Sequence, residues 1–211
     1  GFFPEEYTDA GIWRENGTIY RAVKRVERWL MKESDAFVVL TEKAKNLLFP
    51  ECSGMPDMDT DKFGRPVAVI PCCVDLNGRF FAERSTLRAK MRAELGIGDR
   101  RAYVHAGALG GLYLTEQIAD LLAAARQLDA GTFAMFLTQS DPGLIVPLLR
   151  ARSFEETDYF VSRVAPDAVP GYLCAADAGI SFVKAGYATQ SRSPTKIPEY
   201  LACGLPIIAN P

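Results

Sequence analysis

The chain has 211 residues, of which 48% are hydrophobic and 24% are charged, and its formal net charge is −2. This composition is typical of a soluble globular protein, and the mixing of basic with acidic residues excludes a nucleic-acid-binding stripe. The five cysteines have no CxxC spacing and two are adjacent, which fits neither a disulfide framework nor a zinc site and favours a reducing cytoplasm. No apolar run has the length of a membrane span, and the start does not resemble a secretory signal. The chain lacks an initiator Met and stops directly after an apolar strand, so we expect a piece of a longer protein.

The first third of the sequence predicts a helix followed by a few short elements. Apolar residues between positions 18 and 33 recur at a spacing near 3.6, which predicts an amphipathic helix. Its basic face is either an ordinary solvated face, the more common case, or a contact with a membrane surface or a partner. The elements predicted after it are a strand at 35–40, a helix capped by Thr41, a loop at 50–66, a strand at 67–70 and an irregular connection at 71–78.

From residue 85 onward, strands and helices alternate. The predicted helices are 85–95, 115–128, 143–150 and 169–175, and the predicted strands are 102–106, 132–137, 159–164 and 178–183. This alternation predicts an α/β fold with a doubly wound parallel sheet, a Rossmann-like domain. Because ligands of such sheets bind at the carboxyl ends of the strands, the loops there are the candidate site.

The last nineteen residues carry the strongest local signals. Ser193 is a good N-cap and Pro194 suits a first helical position, while Gly204 and Pro206 end the helix before an apolar strand at 205–209. These signals predict a helix of about ten residues. A cap at Thr195 is the alternative, because it moves Pro198 closer to the helix start, where its missing N–H is harmless.

Two side chains of this helix are suited to a nucleotide diphosphate. Lys196 adds a positive charge to the free N–H groups of the first turn, where a phosphate would sit. Glu199 could accept hydrogen bonds from the two hydroxyls of a ribose. Arg192, in the preceding polar loop, could reach the diphosphate together with Lys196.

A glycine loop follows the strand at 102–106. Gly107–Gly111 does not match the dinucleotide fingerprint, and it is either a ligand-contacting loop, through Gly110 and Gly111, or a structural turn. His105 lies at the end of that strand, two positions before Gly107, and either hydrogen-bonds a substrate or caps the strand. As the only histidine it cannot build a His-rich metal site, so no metal is predicted.

Three segments together resemble retaining glycosyltransferases of family 4, which have the two-Rossmann-domain GT-B fold. Ser193-Pro-Thr-Lys-Ile-Pro-Glu-Tyr-Leu-Ala-Cys-Gly-Leu-Pro-Ile-Ile resembles the donor-binding signature of that family. Ser34-Asp-Ala-Phe-Val-Val-Leu-Thr-Glu-Lys-Ala-Lys looks like the late strand and helix of the acceptor domain. Val69-Ile-Pro-Cys-Cys-Val-Asp-Leu, with Phe80, looks like the segment between the domains.

The resemblance implies transfer of a sugar, with retention of configuration, from a nucleotide-diphosphate sugar to a saccharide or lipid-linked acceptor. It implies no metal and no other cofactor, since the helix dipole and cations stabilise the leaving diphosphate. Lys196, Thr195, Ser193, Arg192, Gly110 and Gly111 would bind the diphosphate, and Glu199 would bind the ribose. Ser191 replaces a glutamate usual in the family and, with His105, is the candidate contact to the donor sugar. The catalytic residues stay unassigned.

By the same resemblance, residues 1–77 are the end of the acceptor-side domain with the linker, and residues 78–211 are a truncated donor-binding domain. The expected setting is bacterial polysaccharide or glycolipid assembly, in the cytoplasm or peripherally at the inner face of the cell membrane. Because catalysis in this fold needs both lobes, the isolated chain is expected to be inactive. The alternatives are a sugar-nucleotide epimerase of the same fold and a non-catalytic nucleotide-binding module.

Overall fold

The chain forms two compact units in a computed structural model that describes residues 2–52, 58–77 and 84–210. Unit 1 comprises Gly1–Cys72 and Lys184–Pro194, and unit 2 comprises Cys73–Val183 and Thr195–Pro211. The return of residues 184–194 to unit 1 is not predicted from the sequence. The domain limits predicted from the sequence are 1–77 and 78–211. Residue 78 is outside the described residues, so these limits stay a prediction.

Unit 1 is a small sheet with helices. Its elements are α1 (Phe3–Asp9), α2 (Thr18–Glu33), β1 (Phe37–Val39), α3 (Glu42–Leu48), β2 (Met58–Thr60) and β3 (Pro66–Val69). The sheet order is β1-β3-β2, with β1 parallel and β2 antiparallel to β3. Thr41 caps α3 as predicted, because its hydroxyl accepts the N–H of Ala44 at 3.0 Å. The prediction of a loop over 50–66 was wrong at β2, a three-residue edge strand too short to show a periodicity.

Unit 2 is a parallel α/β sheet. Its elements are α4 (Arg84–Glu94), β4 (Ala102–Ala106), α5 (Thr115–Leu128), β5 (Phe133–Leu137), α6 (Val146–Arg150), β6 (Tyr159–Ser162), α7 (Val169–Ala175), β7 (Ala178–Ser181), α8 (Lys196–Ala202) and β8 (Ile207–Ala209). The strand order is β6-β5-β4-β7-β8, and every neighbouring pair is parallel. The predicted doubly wound parallel sheet is confirmed.

Two apolar layers cover the two faces of this sheet. Along β5, Phe133, Met135 and Leu137 belong to the layer that includes residues of α7 and α8, whereas Ala134 and Phe136 belong to the layer that includes α5 and α6. Alternate side chains of a strand point to opposite faces, so a strand that is buried on both sides reads as one apolar run. The helices are therefore placed on both faces, and the loops at the carboxyl ends of the strands are left to form a site.

The start of α8 differs from the main prediction. The helix begins at Lys196, with Thr195 at the N-cap position but without a side-chain cap bond, and it has seven residues instead of about ten. Pro198 is then the third helical residue, where no backbone N–H is needed. Ser193 does not cap α8, because its hydroxyl accepts the N–H of Cys72 at 3.1 Å within unit 1.

Candidate functional site

A pocket of about 410 Å³ lies at the carboxyl edge of the unit 2 sheet. Its walls come from the end of β4 and the two residues after it (106–108), from Tyr113, and from Leu137 at the end of β5 with Gln139 beyond it. Three apolar residues between positions 164 and 169 and the start of α8 complete the lining. The volume is within the range of small-molecule sites, and this edge is where parallel α/β sheets bind ligands. Thr195, Lys196 and Glu199, predicted from the sequence as site residues, all line it.

Lys196 is the most unusual side chain of the pocket. The residue is only 5% exposed, and its Nζ has no hydrogen-bond partner. The ammonium lies 4.7 Å from the centre of the Tyr113 ring. Burial lowers the pKa of Lys196 from 10.5 to about 8, and the negative charge of Glu199 raises it in part. A buried ammonium with unused N–H groups at a pocket wall is suited to bind an anion.

Gly107 leaves room for this ammonium. A Cβ at position 107 would lie 3.1 Å from Lys196 Nζ, and the backbone there has a φ of +127°, which side chains other than glycine rarely adopt. The backbone conformation therefore favours glycine at this position, and a side chain there would also crowd the Lys196 ammonium.

Tyr200 fixes α8 to the sheet. β4 and β7 pair through Tyr103 with Ala178 and through Val104 with Gly179. Beyond them the buried Tyr200 hydroxyl accepts the N–H of Ala106 at 2.8 Å and lies 3.3 Å from the carbonyl of Ile180. Because Tyr200 directly follows Glu199, this anchor sets the position of the first turn of α8.

His105 is completely buried and does not line the pocket. Its Nε2 lies 3.1 Å from the carbonyl oxygen of Ala108, so the ring ties the glycine loop to the end of β4. Burial, with a smaller effect of the Lys196 charge, lowers the pKa of His105 to about 4, and the imidazole is neutral at pH 7. This geometry fits the structural alternative for His105, and its contact with a donor sugar stays a prediction.

Gly110 and Gly111 turn the loop behind the pocket. Both have a positive φ, of 73° and 60°. The Gly110 N–H is used inside the protein, because it donates to the Thr115 hydroxyl at 2.8 Å. The loop residues that line the pocket are Gly107 and Ala108, so the predicted diphosphate contacts of Gly110 and Gly111 are not supported by this geometry.

Three predicted residues belong to unit 1. Arg192 forms an ion pair with Glu6 at 3.0 Å. The buried Ser191 donates to the carbonyl of Ala188 at 2.9 Å, and Ser193 accepts the N–H of Cys72 as described above. Their roles in binding a diphosphate or a donor sugar stay predictions, and the structure gives each of them a partner within unit 1.

A second pocket, of about 570 Å³, lies near the start of β4 and β7 and is strongly charged. Its Arg88 and Arg92 pair with Asp177 and bond carbonyls at the end of α7. These guanidinium groups already stabilise the fold, so we do not assign a ligand to this pocket. In the described parts of the chain, no three metal-binding side chains come together and no helix is long and apolar enough to cross a membrane.

Tyr113 and the apolar wall formed by Val164, Pro166 and Val169 were not predicted as site residues from the sequence. Tyr113 and this apolar wall lie near the carboxyl ends of parallel strands, where such sheets bind ligands, and that position could have identified them as site residues.

Comparisons with solved structures identify the architecture. HepE of Anabaena, crystallised with UDP and glucose, matches with a TM-score of 0.61 and 17% identity over 83% of this chain and 44% of its own. The glycosyltransferase WaaG of lipopolysaccharide biosynthesis matches with a TM-score of 0.61 and 16% identity over 92% of this chain and 51% of its own. Unit 2 has the fold of a Rossmann-like GT-B domain.

The pneumococcal O-GlcNAc transferase GtfA, crystallised with UDP and GlcNAc, matches with a TM-score of 0.58 and 12% identity over 85% of this chain and 30% of its own. The chain therefore spans about half or less of the length of these neighbours. No protein-family model matches the sequence, and no curated protein matches it. At these identities the likeness shows the fold alone, and the activity is a proposal.

Proposed function

We propose that this chain is the donor-side portion of a retaining glycosyltransferase of family 4, which moves a sugar from a nucleotide-diphosphate sugar to a saccharide or lipid-linked acceptor. The observation that carries the proposal is Lys196, a buried ammonium without a hydrogen-bond partner at the wall of the 410 Å³ pocket. Neighbours of the same fold that were crystallised with UDP support the choice of ligand class.

In this proposal each wall of the pocket binds one part of the nucleotide. Lys196 pairs with the diphosphate, and the backbone near Thr195 adds donors. Glu199 accepts hydrogen bonds from the ribose hydroxyls. The apolar wall of Val164, Pro166 and Val169 is suited to the flat face of a base. No metal is needed, because the ammonium stabilises the charge that develops on the leaving diphosphate.

Binding of nucleoside diphosphates by the chain tests the site. Both tryptophans, Trp13 and Trp29, lie in unit 1, so calorimetry is preferable to tryptophan fluorescence. We expect UDP, GDP or ADP to bind, with an affinity that EDTA does not change. Lys196→Met and Glu199→Gln should each weaken binding at least about tenfold, since each removes hydrogen bonds to a charged group.

The matched control variants are Lys90→Met and Glu94→Gln on α4, both exposed. They make the same chemical changes away from the pocket, and we expect unchanged nucleotide binding. If Lys196→Met binds all three nucleotides as tightly as the original chain, the site is wrong.

The alternatives differ in their products. We expect the longer protein that contains this chain to release nucleoside diphosphate only when an acceptor is present, and to form a glycoside. An epimerase would instead release an altered sugar without an acceptor, and a non-catalytic module would bind the nucleotide without turnover. The isolated chain should bind but not transfer.

We further propose a cytoplasmic enzyme of bacterial polysaccharide or glycolipid assembly that contacts the membrane surface through α2. Apolar residues of α2 are exposed, including Ile19, Val26, Trp29 and Leu30, and basic residues lie beside them. Such a helix suits an anionic bilayer. Co-sedimentation with phosphatidylglycerol vesicles should fall for Trp29→Ser, and equal binding to neutral phosphatidylcholine vesicles would contradict the proposal.

A further inference from the structure

Tyr113 stands at the end of the glycine loop, where a backbone bridge to Val183 fixes it. Its ring lines the pocket, and the Lys196 ammonium lies 4.7 Å from the ring centre. An ammonium at this distance from the face of an aromatic ring is attracted by the ring's negative face. The rings of Tyr113 and His105 pack edge to face, with 6.1 Å between their centres and 80° between their planes.

The surroundings of the ammonium make this ring contact important. The titratable groups around Lys196 are His105, which is neutral at pH 7, Glu199 on the same helix and the Tyr113 phenol itself. Lys196 is only 5% exposed, and its Nζ has no hydrogen-bond partner. Ring attraction stabilises the positive charge without occupying an N–H group in a conventional hydrogen bond.

We propose that Tyr113 is the positioning residue of the anion site: the face of its ring holds the Lys196 ammonium charged and oriented while leaving its N–H groups available to a phosphate. The nucleotide part of this inference rests on the proposed function, but the contact between ring and ammonium does not. A leucine of similar bulk would serve equally well if Tyr113 only filled space.

The first measurement uses the ligand-free chain. The pKa of Lys196 is followed by NMR of labelled lysine, with the Lys196 signal assigned through Lys196→Met. Tyr113→Leu keeps the burial but removes the ring, so we expect the pKa of Lys196 to fall by about one. Tyr113→Phe keeps the ring and should restore the original pKa. Tyr103→Leu, on β4 and outside the pocket lining, is the matched control and should leave the pKa unchanged.

The second measurement is binding of inorganic pyrophosphate and of UDP by calorimetry. Loss of the ring should weaken pyrophosphate binding about tenfold, and Tyr113→Phe should restore it. If the Leu variant does not fold, phenylalanine and pentafluorophenylalanine at position 113 are compared instead. They share a shape but differ in the sign of the ring's electrostatic face, so the fluorinated ring should lower both the pKa of Lys196 and the affinity.

The outcomes separate the two proposals. An unchanged pKa of Lys196 in both Tyr113→Leu and the fluorinated variant overturns the inference, and so does a lowered pKa with unchanged pyrophosphate affinity. A ring-dependent affinity for pyrophosphate without any binding of UDP, GDP or ADP supports the role of Tyr113 and contradicts the nucleotide function.

Discussion

Replacing Lys196 with methionine should stabilise the fold while removing anion binding. The pKa of Lys196 falls from 10.5 to about 8 in the folded chain. Since one pKa unit corresponds to about 1.4 kcal/mol, keeping this ammonium charged and buried at pH 7 costs about 3 kcal/mol. Methionine keeps most of the buried chain without the charge, so we expect the free energy of unfolding to rise by up to about 3 kcal/mol at pH 7.

The dependence on pH provides the check on this reasoning. The pKa of Lys196 is lower in the folded than in the unfolded chain, so the unfolded chain binds more protons between about pH 8 and pH 10.5. The original chain should therefore gain stability as the pH rises through this window, and its difference from Lys196→Met should shrink by about 2 kcal/mol at pH 10. Urea unfolding of both proteins at pH 7 and pH 10 measures this difference.

Lys90→Met is the control for this experiment, because Lys90 is exposed and 3.9 Å from Glu94. It should change the free energy of unfolding little at either pH. A Lys196→Met variant that is less stable than the original chain at pH 7, or a difference that does not depend on pH, would refute the account of a strained buried charge.

Three further predictions concern the same region. UDP affinity should fall as the pH rises above 8 and Lys196 loses its proton, and calorimetry at pH 7–10 should show no such fall in Lys196→Met. Tyr200→Phe should lower the free energy of unfolding by about 1–3 kcal/mol, measured with urea, because the Ala106 N–H loses its acceptor. Gly179→Ala should lower the melting temperature because its Cβ would collide with the Tyr200 ring, whereas Gly171→Ala, next to the flexible Met91 side chain, should be tolerated.

The parallel sheet of unit 2 could be predicted from the sequence because its strands are apolar runs separated by helices with clear periodicity. The bounds of α5 and α7 agree with the prediction to the residue. Those signals are local, since they depend on which faces of a helix or strand are buried. β2 was missed because a three-residue edge strand depends on its partner, β3, more than on its own residues.

The candidate site was only partly predictable for a similar reason. Lys196 and Glu199 were found because they belong to a helix start that is visible in the sequence. Ser193 looked like the cap of that helix, but its hydroxyl accepts a backbone N–H from 121 residues earlier in the chain. The role of Tyr113 depends on a lysine in another element, and a local pattern does not contain that contact.

The route of the chain through the two units has a consequence for synthesis. Residues 184–194 complete unit 1 through bonds to Thr41, Cys72 and Glu6, over separations of 149, 121 and 186 residues. A polypeptide leaves the ribosome from its N-terminus, so these bonds form only after β4 to β7 have been made. Unit 1 begins first and is completed late, and a fragment cut at residue 72 would lack the segment that closes it.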